Sequence, residues 1–222
     1  MCPGCGASGS LRPAVRRPID DVLDVAAAQP VSASDLCKRT WDTRADPVTG
    51  LLYGPASLWL LYGPPGAGKT TMAAAMAGRA GRKVLLISNE MHLGAGLAAL
   101  LRRAGVSRRT DFNVVRQASV TALVDASRAG MVIVLDSINS GLRLTAVDGR
   151  LVADAGGILL AVAQVVKSGG MAGAQAWLHQ ADLVLQLEGG KWTCEKSRFE
   201  PAGRTGDVPL VAAVEEEAHG PR

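Results

Sequence analysis

One segment of the sequence has the residue types and the spacing of a phosphate-binding loop. Residues 58–71 read LWLLYGPPGAGKTT, so an apolar run ends at a glycine and small residues suited to a helix follow. The pattern G-x-x-x-x-G-K-[ST] is matched by Gly63, Pro64, Pro65, Gly66, Ala67, Gly68, Lys69 and Thr70. We predict that these residues and Thr71 bind phosphates through backbone N–H groups at a helix N-terminus, where the helix dipole favours an anion.

Two side chains of this loop have predicted roles of their own. Lys69 is expected to reach the β- and γ-phosphates, and the hydroxyl of Thr70 is expected to bind Mg²⁺. The alternative is a glycine turn beside a surface lysine. The apolar run before the loop and the small residues after it favour phosphate binding, because they indicate the strand and the helix that it requires. The sequence therefore predicts binding of ATP with Mg²⁺.

Two acidic residues follow apolar runs that predict buried strands. Ligands of an open α/β sheet lie outside the carboxyl ends of its strands, so both residues are expected beside the phosphate loop. Asp136 ends MVIVLD and is predicted to hold Mg²⁺ with Thr70, or alternatively to cap the next helix. Glu90 comes just after KVLLIS and is predicted to orient and partly deprotonate the attacking water, or alternatively to be a favourable first-turn charge.

Amide side chains occur at two more positions near predicted strand ends. Gln164 lies in the apolar run AVAQVV and is interpreted as a sensor of the γ-phosphate or as a hydrogen-bonded core residue. Asn139, shortly after Asp136, has the same two interpretations. Both side chains are candidates for the catalytic site.

Alternating strands and helices are predicted to position these residues. Apolar runs indicate buried strands at 58–62, 83–88, 131–136, 158–166 and 182–187, and a shorter strand near 113–115. Helices are predicted at 68–79, 93–104 and 119–129, and closing antiparallel strands at 191–199 and 208–214. We therefore predict an α/β fold, with a mostly parallel sheet, helices on both faces and a C-terminal antiparallel extension.

Length and composition favour one α/β domain with a short appendage. The chain has 222 residues, a net charge of +4 and no apolar run long enough to span a membrane, so a cytoplasmic protein without membrane partners is expected. The mild basic surplus favours polyanionic partners. We predict a weakly structured N-terminal arm at 1–50, a core at 51–214 and an acidic tail at 215–222.

The N-terminal arm contains half of a zinc knuckle. Cys2 and Cys5 form a C-x-x-C pair, which places two thiolates in one turn. A structural zinc site needs four ligands, and Cys37 with His179 or His92 would complete it only at unusual spacings. Zn²⁺ binding is therefore one interpretation, and free thiols are the other.

The order of the motifs resembles that of the RecA-fold ATPases, and most of all the bacterial RadA (Sms) DNA-repair branch, with DnaB-like helicases and KaiC-like ATPases as relatives. The resemblance covers about 58–200 and implies a RecA-like P-loop NTPase core. It depends on the phosphate loop, Glu90 after the second strand, and the segments at 131–139, 165–173, 179–189 and 196–199. Departures from the branch are Asn139 for Gln, Ala174 for Pro, Ser197 for Asn, Glu200 for Gly, and the absence of the first zinc-ligand pair.

Lys196 and Arg198 match the Lys-x-Arg part of that family's motif. They alternate in an extended segment, so both side chains are expected to point the same way. The resemblance implies a place at the subunit boundary, where they contribute to ATP hydrolysis across the interface and to DNA engagement. A solvated strand face is the alternative. The loop that contains Lys167, Gly169 and Gly170 is interpreted as a channel-facing DNA contact or as a plain surface loop.

The resemblance implies an ATP-hydrolysing motor that acts on single-stranded DNA in recombination, repair or replication. It also implies a homo-oligomeric ring, a hexamer in the related helicases, which works with other recombination or replication proteins. Three alternatives are open: a DnaB-like helicase core of a phage or mobile element, a KaiC-like assembly ATPase without a DNA substrate, and a small-molecule P-loop kinase. A kinase would need a lid and an acceptor-binding region, and the sequence shows neither clearly.

Overall fold

A computed structural model describes four stretches of the chain, residues 32–38, 42–138, 144–165 and 175–209. The chain divides into two compact units, Met1–Thr40 and Trp41–Arg222. In the first unit, the hydroxyl oxygen of Ser32 caps helix α1 (Ala33–Lys38) by accepting a hydrogen bond of 3.0 Å from the backbone N–H of Asp35. The predicted division into arm, core and tail stays a prediction.

The second unit begins with a small antiparallel pair, β1 (Arg44–Ala45) and β2 (Leu52–Tyr53). The turn between them is organised by Asp46, a buried residue whose Oδ1 accepts hydrogen bonds from the backbone N–H groups of Val48 and Thr49. Burial raises the pKa of Asp46. This short ribbon leads directly into the main sheet.

Eight strands form the main sheet of the second unit. Their bounds are β3 (Ser57–Gly63), β4 (Val84–Ser88), β5 (Phe112–Val115), β6 (Val132–Asp136), β7 (Ile158–Gln164), β8 (Leu183–Glu188), β9 (Lys191–Ser197) and β10 (Thr205–Asp207). In space the order is β10-β9-β8-β3-β7-β6-β4-β5. Strands β3 to β8 run parallel, whereas β9 is antiparallel to β8 and β10 is antiparallel to β9.

Helices cover both faces of this sheet. They are α2 (Lys69–Arg79), α3 (Ala95–Arg103), α4 (Val120–Arg128), α5 (Ala146–Asp154) and α6 (Gln175–Gln180). Because side chains alternate along a strand, Trp59 and Leu61 of β3 pack in the core with α2, whereas Leu58 and Leu60 pack in the core with α4, α5 and α6. The predicted α/β fold with helices on both faces is confirmed. None of the helices in the described ranges is long and apolar enough to cross a lipid bilayer.

The last strand of the sheet lies just before the predicted closing strand. The sequence predicts a strand at 208–214, but 210–214 lie outside the described residues, and 208 and 209 are not in a strand. Val208 is a buried core residue that directly follows β10 (Thr205–Asp207). In β10, Gly206 lies opposite Trp192, and a Cβ at Gly206 would come within 2.7 Å of the indole ring. A short polar strand with a glycine at its centre therefore pairs with β9, because only a small residue fits beside Trp192.

Gly63, the last residue of β3, allows a close approach of β8. A Cβ at this position would lie 2.0 Å from the carbonyl oxygen of Leu187. No side chain fits there without moving one of the two strands. The predicted phosphate-binding segment thus starts from a point that is fixed by strand pairing.

Candidate active site

The predicted site residues meet at one edge of the sheet. In the parallel register, Gly63 lies opposite Gln164, and Ser88 lies opposite Asp136. The segment 64–68 therefore leaves β3 beside the ends of β7 and β6, as the topology of an open α/β sheet requires. Glu90 follows Ser88 by two residues and comes to the same edge.

The phosphate-loop segment leads into α2 without a side-chain cap. Gly68, the N-cap, has a φ of 86°, which is in the left-handed region that glycine adopts most readily. The N–H groups of the first helical turn have no acceptor inside the helix, and no side chain of the cap accepts from them. Pro64, Pro65 and Gly66 are exposed, so this helix end is accessible from solvent. Such an end is suited to bind phosphate oxygens.

Lys69 is held inside the loop that precedes it. Its residue exposure is only 7%, and its Nζ donates hydrogen bonds to the carbonyl oxygens of Gly63 at 2.9 Å and Pro64 at 2.7 Å. Burial lowers the pKa of Lys69, whereas the charges of Glu90 and Asp136 act in the opposite direction. Both carboxylates therefore act on this ammonium group, so the three side chains share one electrostatic environment.

Asp136 and Thr70 form a pair that suits a divalent cation. The hydroxyl of Thr70 donates a 3.0 Å hydrogen bond to Oδ1 of Asp136, which is 2% exposed. Burial raises the pKa of Asp136 to about 6, Thr70 and Lys69 oppose the rise, and Glu90 adds to it. Mg²⁺ prefers oxygen ligands and is commonly held by one or two carboxylates together with nucleotide phosphates. The chemistry of this donor pair therefore fits Mg²⁺ bound with a nucleotide.

Glu90 belongs to a hydrogen-bond network at the ends of three strands. Gln164 Nε2 donates to both oxygens of Glu90, at 3.0 and 2.8 Å, and the hydroxyl of Ser137 donates to Oε1. Asn89 Nδ2 donates to the carbonyl oxygen of Ser137 at 3.1 Å, and its backbone N–H donates to that of Asp136 at 3.0 Å. The structure thus brings Glu90, Gln164 and Asp136 together.

Ser137 and Asn89 are members of this network that the sequence reasoning missed. Each is the polar neighbour of a predicted site residue at the end of a buried strand. That adjacency was the available signal, because a side chain next to a strand-ending carboxylate lies at the same edge of the sheet. Their contacts indicate that they orient Glu90 and join the ends of β4 and β6.

Lys196 and Arg198 lie at the opposite edge of the sheet. Strand β9 is antiparallel to β8, and Ser197 lies opposite Leu183, the first residue of β8. The six residues of β8 span about 20 Å at about 3.3 Å per residue, so this end of β9 is far from the phosphate loop of the same chain. Within one chain, the structure therefore separates Lys196 and Arg198 from Lys69.

Both cations have partners at that far edge. Lys196 Nζ donates to the carbonyl oxygens of Leu178 at 2.8 Å and His179 at 3.1 Å, near the end of α6. Burial lowers the pKa of Lys196, and the charge of Arg198 adds to the effect. Arg198 forms an ion pair of 3.2 Å with Asp182. Lys196 is therefore occupied inside its own chain, whereas Arg198 keeps a largely exposed side chain.

The proposed zinc ligands are only partly covered by the structure. Cys2 and Cys5 lie outside the described residues, as do Asn139 and the loop at 166–174. Cys37 is exposed and free, and His92 lies 3.4 Å from a guanidinium nitrogen of Arg116. Within the four described stretches, no group of three or more His, Cys, Asp or Glu residues could hold a metal ion. Zinc binding stays a prediction.

The raised pKa of Asp136 predicts a pH-dependent effect of Asp136→Asn on the nucleotide-free protein. Because the pKa rises from 3.8 to about 6 on folding, the ionised carboxylate opposes folding, and the free energy of unfolding falls as the pH rises from about 4 to about 6. Asparagine removes this cost and still accepts from Thr70. We expect the variant to be more stable at pH 8 by up to about 3 kcal/mol, and no more stable at pH 4. Urea unfolding at both pH values measures this difference.

Asp125→Asn is the matched control for that measurement. Asp125 is an exposed residue of α4 and pairs only with Arg128 among the described residues. The same change of carboxylate to amide should leave the stability nearly unchanged at both pH values. An Asp136→Asn protein that is no more stable than the wild type at pH 8 would contradict the burial argument.

Comparisons with known proteins agree with this architecture. The model of the family described as "ATPase family associated with various cellular activities (AAA)" matches residues 59–153, which is less than half of the chain. No curated protein gives a significant match.

Among solved structures, "Crystal structure of the RadB recombinase" is 18% identical, with a TM-score of 0.50, and the match covers 68% of this chain and 86% of that one. A second structure, described as an ATPase domain, is 13% identical, with a TM-score of 0.50, and the match covers 67% of this chain and 79% of that one. At these identities the likeness concerns the fold. The chain has an α/β P-loop NTPase fold of the RecA-like type, with antiparallel strands at its C-terminal side.

Proposed function

We propose that this protein is a cytoplasmic RecA-fold ATPase of the RadA type, which hydrolyses ATP with Mg²⁺ and acts on single-stranded DNA in recombination, repair or replication. The observation that carries the proposal is the single network at the carboxyl edge of the sheet. There, Lys69 is coupled electrostatically to Glu90 and Asp136, Thr70 donates to Asp136, and Gln164 donates to Glu90.

In this proposal the phosphate loop and Lys69 bind the triphosphate, and Thr70 with Asp136 holds Mg²⁺. When bound, Mg²⁺ neutralises charge that develops on the phosphates. Glu90 orients the attacking water and accepts its proton at a carboxylate oxygen. Ser137 and Gln164 hold that carboxylate in place, because both donate hydrogen bonds to it. The Gln164 amide is also the candidate sensor of the γ-phosphate.

The positions of Lys196 and Arg198 support an oligomer that shares its sites. Neither side chain can reach the phosphate loop of its own chain from the opposite edge of the sheet. We assign Arg198 to the site of a second copy, where an arginine stabilises charge on the transferred phosphoryl group. A ring of identical subunits would give every site such an arginine. Lys196 lies beside it and caps the end of α6 by donating a hydrogen bond to the carbonyl oxygen of Leu178.

The proposed DNA substrate rests on three observations. One of the structural neighbours is named a recombinase, the resemblance at 165–173 and 196–199 is to a DNA-repair branch, and the net charge of +4 favours a polyanion. An assembly ATPase of the KaiC type would use the same nucleotide site without DNA. The dependence of turnover on DNA distinguishes the two functions.

The proposal is tested by the ATPase rate with and without single-stranded DNA, together with particle mass in ATP-γ-S. We expect turnover that needs Mg²⁺, rises with single-stranded DNA, and falls again at high salt because phosphate contacts are screened. The mass should be a multiple of 23.0 kDa. Turnover that is indifferent to DNA would favour the assembly ATPase, and an absence of turnover would contradict hydrolysis altogether.

Arg198→Ala tests whether the sites are shared between subunits. We expect kcat to fall by about 10³-fold, because an arginine supplied in trans accelerates phosphoryl transfer by about 10³ to 10⁵, while nucleotide binding is retained. The measurement is steady-state turnover of the variant and of its mixture with Glu90→Gln subunits. The mixture should recover part of the activity, since sites with Glu90 then receive Arg198 from their neighbours.

Arg128→Ala is the control for the loss of a positive charge. Arg128 is on α4 and forms only an exposed ion pair with Asp125 among the described residues. This variant should turn over at the wild-type rate. No recovery at any ratio of Arg198→Ala to Glu90→Gln subunits would argue against a shared site.

A further inference from the structure

Asp182 is a buried carboxylate at the far edge of the sheet, where it joins three elements. It is 7% exposed and lies directly before β8. Its Oδ2 accepts hydrogen bonds from the backbone N–H of Leu58 in β3 at 2.9 Å and from Nη1 of Arg150 in α5 at 2.6 Å. Its Oδ1 lies 3.2 Å from Nε of Arg198, just beyond β9. The two oxygens therefore serve different neighbours.

Asp182 fixes Arg198 at two points. The backbone N–H of Arg198 donates to the carbonyl oxygen of Asp182 at 2.9 Å, and its side chain is held through Nε. The side chain is nevertheless 56% exposed, and its two Nη nitrogens donate no hydrogen bond to any of the described residues. When an arginine is held at Nε, its two Nη groups are available to bind phosphate oxygens. This geometry presents the guanidinium to something outside the chain.

The surrounding charges make this support necessary. Arg150, Lys196 and Arg198 bring three positive charges to this edge, and Asp182 is the buried carboxylate between two of them. Arg150 has a second carboxylate, Asp154, at 2.6 Å. Arg198 has Asp182 as its sole ion-pair partner in the described part of the chain. Loss of the Asp182 charge would therefore release Arg198 more than Arg150.

We propose that Asp182 is a positioning residue for ATP hydrolysis, which holds Arg198 ready for the γ-phosphate in a second copy of this chain. The inference rests on the proposed sharing of sites between subunits. In this role Asp182 acts only through Arg198. The arginine therefore reaches the neighbour's phosphate in a fixed orientation, with fewer side-chain rotamers left to order on assembly.

Asp182→Asn separates this role from a role in folding. Its amide oxygen can still accept from Leu58 and Arg150 in place of Oδ2, whereas the amide N–H₂ replaces Oδ1 and offers only donors to Arg198. Asp154→Asn is the matched control. It removes an equal charge from the same Arg150, and it has no contact with Arg198 among the described residues.

The test measures steady-state turnover, nucleotide affinity and thermal unfolding of Asp182→Asn, Asp154→Asn and Arg198→Ala. For Asp182→Asn we expect kcat to fall by about 10- to 100-fold with KM for ATP unchanged, because the ion pair that orients Arg198 is lost and a misplacement of about 1 Å can cost about 10²-fold in rate. Mixing with Glu90→Gln subunits should restore part of the activity, as for Arg198→Ala. Asp154→Asn should keep the wild-type kcat.

The outcomes distinguish this inference from the proposed function. If Arg198→Ala lowers kcat and Asp182→Asn does not, Asp182 has no positioning role. The inference is then overturned, whereas the proposed function is not. If neither variant lowers kcat, the shared site and the inference are both overturned. A loss in Asp182→Asn that Glu90→Gln subunits do not restore would show a structural defect, which also overturns it.

A second variant covers the case in which Asp182→Asn does not fold. Asp182→Ser keeps a hydroxyl that can form a hydrogen bond with the backbone N–H of Leu58, but it removes the carboxylate that pairs with Arg198. A lower kcat with unchanged KM and recovery on mixing would support the positioning role. A wild-type kcat in Asp182→Ser would overturn it.

Discussion

Replacement of Lys69 by alanine is expected to abolish ATP binding. Lys69 is the cation of the phosphate loop, and it also closes the loop by donating to Gly63 and Pro64. Alanine removes the charge that attracts the phosphates and leaves two carbonyl groups without their donor. Titration with a fluorescent ATP analogue, at concentrations that saturate the wild type, measures the loss.

Lys69→Met and Lys83→Ala complete that experiment. Methionine keeps most of the side-chain volume, so a loss of binding in this variant is due to the charge. Lys83 is an exposed lysine at the start of β4, at the other edge of the sheet, and its alanine variant should bind normally. Normal ATP affinity in both Lys69 variants would remove this loop as the binding site.

Replacement of Glu90 by glutamine is expected to retain ATP binding and to lower kcat by about 10²- to 10⁴-fold, the usual contribution of a general base. Glutamine has nearly the same shape and still accepts hydrogen bonds from Ser137 or Gln164, but it cannot take a proton from water. Single-turnover hydrolysis with enzyme in excess separates this step from product release. The Kd for ATP, measured in the same preparation, should be unchanged.

The control for Glu90→Gln is again Asp125→Asn, which removes an exposed carboxylate on α4 that pairs only with Arg128 among the described residues. It should turn over at the wild-type rate. Full turnover by Glu90→Gln would exclude Glu90 as the group that orients the water. A loss of ATP affinity would instead indicate that Glu90 supports the fold of the loop.

The meeting of the candidate site residues at one edge of the sheet could be predicted from the sequence, because it depends on local patterns and one rule of topology. Continuous apolar runs indicate parallel strands, and the carboxyl ends of parallel strands meet at one edge. Glu90, Asp136 and Gln164 come at or just after such ends. Their proximity therefore follows from the parallel arrangement of the strands and does not require tertiary contacts that the sequence could not predict. The strands β3, β4 and β6 lie within a residue or two of the predicted ranges.

The far edge could not be predicted in the same way. Asp182 looks like an ordinary residue before an apolar strand, and its contacts with Arg150 and Arg198 depend on how α5 and β9 pack around it. Strand β10 was not predicted, because Thr205–Asp207 contains no apolar residue that would indicate a strand. The pairing of this strand with β9 depends instead on the limited space beside Trp192, where a glycine such as Gly206 fits and a residue with a Cβ does not.

The phosphate loop lies at one edge of the sheet and Arg198 lies at the other, and this separation has a consequence for assembly. A contact that brings Arg198 of one subunit to the phosphate loop of the next is directional, so the two partners contribute different surfaces to it. One such contact completes one site. Two subunits joined by it keep an Arg198 without a site at one end and a site without an Arg198 at the other. Every site is therefore complete only when the row of subunits closes into a ring.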